Sequence, residues 1–101
     1  MRSRVSGTRF REMVQTFTAL LESGQYPLSQ ILTTTAQQQR SRILKSTLLK
    51  VHDIVMQGYP LSHAMANFPD VFDRDFVALV RQGERGGNLD EQLRDYLAKA
   101  G

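Results

Sequence analysis

The chain has no cysteine, only three prolines in 101 residues, and no apolar run of membrane-spanning length. Each absence removes a class of function. Without cysteine there is no disulfide scaffold, no thiol nucleophile and no cysteine-ligated zinc, a usage compatible with a reducing compartment. A transmembrane helix takes about 20 mainly apolar residues, and no window approaches that. The opening MRSRVSG is basic with no apolar stretch behind it, so it does not read as a secretory signal. No segment alternates apolar and polar residues convincingly, so nothing reads as a strand. The remaining composition, 41% hydrophobic and 23% charged, is that of one globular domain with one modest core.

The formal net charge of +3 conceals an asymmetry. Residues 1–52 hold eight Lys/Arg against Glu12 and Glu22, a net of +6, whereas residues 53–101 hold five against eight acids, a net of −3. A basic half beside an acidic half suits self-association, an acidic partner or a negatively charged membrane surface. Arg40, Arg42, Lys45 and Lys50 form the densest basic cluster and fall on one expected helix.

Six helices are legible. Phe10, Met13, Val14, Phe17, Leu20 and Leu21 recur at helical spacing, and Gly24 can end that helix in the left-handed conformation. Pro27 suits the first turn of a second helix with Leu28, Ile31 and Leu32 inward, fading near Gln38. A third helix is expected from Arg40 to Gln57, with Leu44, Leu48, Val51 and Val55 as its stripe and Gly58 closing it. A short fourth runs Leu61 to Asn67, limited by Pro69. The fifth starts at Asp73 and turns Phe76, Leu79, Val80 and Gly83 inward; the sixth carries Leu89, Leu93, Tyr96 and Leu97. GQYPLSQIL at Gly24 and GYPLSHAM at Gly58 repeat one punctuation, in which glycine stops a helix and proline starts the next. The expected fold is all-α: a compact bundle of six helices built from helical hairpins, residues 9–101, behind a basic tail at 1–8. Met13, Met56 and Met65 read as core filler.

The stretch VRQGERGGNLDEQL, Val80 to Leu93, tests whether glycine here serves chemistry. A phosphate loop of the G-x-x-x-x-G-K-[ST] kind needs a lysine and a hydroxyl that this stretch lacks. Asp90 and Glu91 would also place two negative charges where a phosphate must sit. A helix corner accounts for the same residues. Gly86 or Gly87 ends the fifth helix with positive φ, Asn88 caps the sixth with Glu91 completing a capping box, and Gly83 admits a close neighbour. Glu84 is left over. It is an acid at the unfavourable end of a helix, read either as a surface ion pair with Arg81 or Arg85 or as a carboxylate facing a partner or a cation.

Other constellations are weak. His52 and His63 lack the i, i+4 spacing of a helical zinc site, and no nucleophile and base pair emerges. No enzyme activity, cofactor or metal site is expected. A helix-turn-helix nucleic-acid binder is the runner-up on charge alone, because the basic helix lacks a base-reading set of side chains.

The corner Gly83-Glu84-x-x-Gly87-x-Leu89 resembles the G-E-x-S-G-x-L signature of the type II secretion F-domain family. Further segments are similar to the family in order and spacing. They are the turn at Gly24 and Pro27, the turn at Gly58, Leu61, Ser62, Ala64 and Met65, and Pro69 with Phe72 before the fifth helix. Gly86 replaces the small hydroxyl residue of the signature, and one residue is inserted before Pro27. The resemblance implies a non-enzymatic cytosolic domain of an inner-membrane platform protein of type II secretion or type IV pilus assembly. On that reading the fragment is an excised domain at the cytoplasmic face of a bacterial inner membrane. Its implied partners are the cytosolic assembly ATPase, other platform components and further copies of itself in a weak homodimer or higher oligomer, with no nucleic acid.

Overall fold

The computed structural model of the protein describes residues 5–100, all of them helix or connection, with no strand among them. The helices are α1 (Gly7–Ser23), α2 (Leu28–Gln37), α3 (Arg42–Met56), α4 (Leu61–Ala66), α5 (Arg74–Gly86) and α6 (Leu89–Ala100). Each packs on its neighbours in chain order, and α6 returns to α1, so the bundle closes as a ring. A radius of gyration of 12.3 Å matches the roughly 13 Å of a compact domain of this length.

The elements begin where a side chain can satisfy a free helix-end amide. Ser6 accepts from the Arg9 amide, Ser41 from Leu44 and Asp73 from Phe76, opening α1, α3 and α5. α1 therefore starts inside the stretch read as tail, and Val5 packs against the core; Arg2 and Arg4 lie outside the described residues. Because Ser41 is the cap, Arg40 precedes α3 instead of riding on it. Pro27 and Pro60 stand one position before the first turn of α2 and α4, as N-caps with no side chain to offer.

The periodic residues meet at the centre. Met13, Val14, Phe17, Ile31, Leu32, Leu44, Leu48, Val51, Met65, Phe72, Phe76, Val80 and Leu93 are buried, as their spacing requires. Met56 is the exception: it is 62% exposed, on the outer side of α3, and fills no core space. Phe10, Phe72, Phe76 and Tyr96 form an edge-and-stack cluster, with Phe10 and Phe76 centroids 5.0 Å apart and Phe76 and Tyr96 5.2 Å apart. This cluster ties α1 to α5 and α6. Arg11 adds a bond of 2.8 Å to the Leu97 carbonyl in the last turn of α6, and Arg94 pairs with Glu22 at the other end of α1.

Burial raises the Tyr96 phenol above its usual value; Asp73 raises it further and Arg11 opposes. The neutral phenol is the form the fold prefers, so its contribution is whole below pH about 10 and lost as pH climbs through the raised value. Denaturant midpoints should fall above pH about 10, and more weakly in Tyr96→Phe. An identical alkaline limb in both proteins would show that Tyr96 does not govern it.

Candidate functional site

The two motif-bearing turns converge on one contact. At the end of α5, Gly87 takes φ 67° and ψ 26°, the left-handed position, while Gly86 stays helical. The Gly87 amide and the Asn88 amide (3.1 Å) both close on the Gly83 carbonyl, which satisfies an acceptor that the helix end would leave free. The chain thereby reverses into α6 and lays Leu89 across Gly83. A Cβ on Gly83 would stand 2.7 Å from the Leu89 Cα, so this helix crossing admits only glycine.

Asn88 and Glu91 do not form the expected capping box. The Glu91 amide donates to the neighbouring Asp90 carboxylate (2.9 Å), and Asn88 turns its Oδ1 back over Gly86, where a Cβ would be 2.7 Å away. The glycine that replaces the signature's hydroxyl residue therefore makes room for the Asn88 side chain. Gly87 meets no neighbour with its missing Cβ, so substitution there costs backbone strain alone. Gly87→Val should lower unfolding free energy by about 1–3 kcal/mol in chemical denaturation. An unchanged midpoint would contradict the strain account.

The second turn has the same construction up to its cap. Gly58 takes φ 103° and donates to the Val55 carbonyl, Pro60 caps α4, and Leu61, Ser62, Ala64 and Met65 are buried. Proline cannot receive the first-turn amides of α4 with a side chain. Glu84 receives one of them, that of Ser62, from across the bundle. Its Oε2 accepts from the Ser62 amide at 2.9 Å, and its Oε1 from the Ser62 hydroxyl at 2.5 Å.

This answers the puzzle posed by Glu84. The carboxylate is disfavoured by the C-terminal end of its own helix and favoured by the N-terminal end of α4, which it caps from outside. It pairs with neither Arg81 nor Arg85 in the described contacts, and it does not stand clear of the fold as the sequence suggested. Sequence reasoning missed the clasp because Ser62 and Glu84 are 22 residues apart. A signal was present nonetheless: a helix opened by proline needs an acceptor from elsewhere, and one acid lacked a role.

The remaining motif residues are architectural in the same sense. Gly24 ends α1 at φ 68°, Pro27 opens α2, Phe72 is buried in the aromatic cluster, and Pro69 lies exposed in the turn before α5. Arg42, Lys45 and Lys50 share the outer face of α3 with Leu49, beside Arg40 in the preceding turn. Among the described residues no three His, Asp or Glu side chains gather as a metal site, and no helix is long and apolar enough to cross a membrane.

The family model of the type II secretion system protein F matches residues 13–99, which contain both glycine turns and the clasp. The chain belongs to the type II secretion system protein F family. It is 34% identical to the type II secretion system protein F of Vibrio cholerae serotype O1 over 94% of its own length and 26% of that protein's. It is 35% identical to the protein of that name from Pseudomonas aeruginosa, over 77% of the chain and 20% of the relative. The type IV pilus assembly protein PilC of Myxococcus xanthus is 33% identical over 93% of the chain and 22% of its own length. The chain thus spans about a quarter or less of these relatives. Gly83, Glu84, Gly87 and Leu89, the residues that carried the resemblance, are here the parts of one joint: a crossing, a clasp and a reversal.

Proposed function

We propose that this chain is a cytosolic, non-enzymatic domain of an inner-membrane platform protein in type II secretion or type IV pilus assembly. In that role it would couple the assembly ATPase to pilin or pseudopilin polymerisation. The family match across residues 13–99 carries the reading. Relatives named for type II secretion and for type IV pilus assembly lie at similar identity, which supports the shared task and leaves both machines in play. The residues agree with it physically. The polar motif groups are consumed in holding α4 to α5, so recognition falls to the outer helix faces and their uneven charge.

The partners that follow are the cytosolic ATPase, neighbouring platform components and other copies of the domain in a weak, salt-sensitive dimer. Exposed charges are screened over about 8–10 Å at physiological ionic strength, so such contacts loosen as salt rises. In-frame removal of residues 9–100 from the source gene should abolish secretion or piliation, and the isolated domain should bind the cognate ATPase in a titration. Normal assembly without the segment would overturn the proposal.

A further inference from the structure

Arg42, Leu49 and Met56 are spaced seven residues apart, so they line one ridge along the outside of α3, about 21 Å from end to end. Leu49 is 40% and Met56 62% exposed, and these two are the non-aromatic members of the exposed large hydrophobics among the described residues. Lys45 and Lys50 flank the ridge, Arg40 stands exposed just before it, and Asp53 is its one acid, held by His52 Nδ1 at 3.1 Å. None of the four cations has an ion-pair partner in the described contacts. On α1, by contrast, Arg9 and Arg11 are both engaged.

The placement also works against the helix. α3 has no acid in its first turn, and Arg42 sits there at the positive end of the dipole, where a cation is disfavoured. Free cations around an exposed apolar line, with no gain to the fold, fit an external anionic surface. We propose that the α3 ridge docks the domain onto the anionic headgroups of a phospholipid bilayer. Leu49 and Met56 enter the headgroup boundary, while Lys45 and Lys50 extend along it and keep their charges at the lipid phosphates. The mixed face favours lipid over an acidic protein, because a planar bilayer supplies negative charge and an apolar layer to the same ridge. The inference rests on the inner-membrane reading for its setting, but its test uses no secretion component, so the two can fail separately.

The chain is mixed with phosphatidylglycerol-containing vesicles or with pure phosphatidylcholine vesicles, and the bound fraction is read by flotation. Binding should be confined to the anionic vesicles and should fade as ionic strength rises from about 0.1 M to 1 M, where screening shortens from about 10 Å to 3 Å. Each lost basic residue should weaken partitioning about fivefold, so Lys45→Ala with Lys50→Ala should weaken it about 25-fold. Leu49→Ala should weaken it further, whereas Arg81→Ala, on exposed α5 surface, should leave it unchanged. All these positions are exposed, and circular dichroism of each variant is the check that it stays helical. Equal binding to both vesicle types, no binding to either, or equal loss in Arg81→Ala would overturn the proposal. Preference for soluble polyglutamate over anionic vesicles would also overturn it and assign the ridge to an acidic protein.

Discussion

Gly83→Ala should unfold this domain more readily than any other single methyl addition in its signature, by about 3 kcal/mol. The new Cβ would lie 2.7 Å from the Leu89 Cα and 2.9 Å from its Cδ1. A side-chain tip could swing aside, but a backbone atom can move only if the start of α6 moves with it. That displacement would carry Leu93 out of the core and pull Tyr96 from the aromatic cluster. For a domain of this size the loss corresponds to a fall in Tm of at least about 12 °C. Gly86→Ala is the internal control, because its Cβ meets only the movable end of Asn88. Equal Tm shifts in the two variants would refute the crossing argument.

Glu84→Ala should cost about 2 kcal/mol, because it leaves the buried Ser62 amide and hydroxyl without their acceptor. Bonds to a carboxylate are stronger than neutral ones, but the partial exposure of Glu84 moderates the figure. Glu84→Gln can still accept from the amide and turn its own amide towards the hydroxyl, so it should lose about half as much. Ser62→Ala keeps the amide contact and should fall near the glutamine variant. The decisive measurement is the double-mutant cycle: Ser62→Ala with Glu84→Ala should be less destabilising than the sum, by about 0.5 kcal/mol or more. Additive losses would mean that the clasp carries no coupling and that Glu84 acts elsewhere.

These two variants also mark what the sequence could and could not convey. Helix periodicity and positive φ are local properties, so the six elements and the left-handed residues Gly24, Gly58 and Gly87 were legible in composition and spacing. Gly83 was legible too, as a small residue on an apolar stripe. The clasp was not, because it depends on how α4 and α5 settle against each other after both have formed. The capping box failed for a related reason: Asp90 is one residue from the Glu91 amide and competes successfully with Asn88. Arg40 and Met56 were misplaced through boundary and face, the former by the Ser41 cap and the latter by lying on the outer side of the stripe. Local rules identify the helices, and the contacts between them belong to the assembled ring.

The closure of that ring by α6 against α1 has a mechanical consequence. Arg11, near the start of α1, holds the last turn of α6, while Glu22, at the far end of α1, holds Arg94. The two helices therefore run antiparallel, and the start of α1 and the end of α6 lie at the same end of the bundle. Tension applied between the start of α1 and the end of α6 would load this seam in peel, one contact at a time, beginning with Arg11 and Leu97. It would not load the seam in shear, where all contacts resist together. A joint of that kind opens at low force and recloses readily, while α2, α3, α4 and α5 stay outside the line of load.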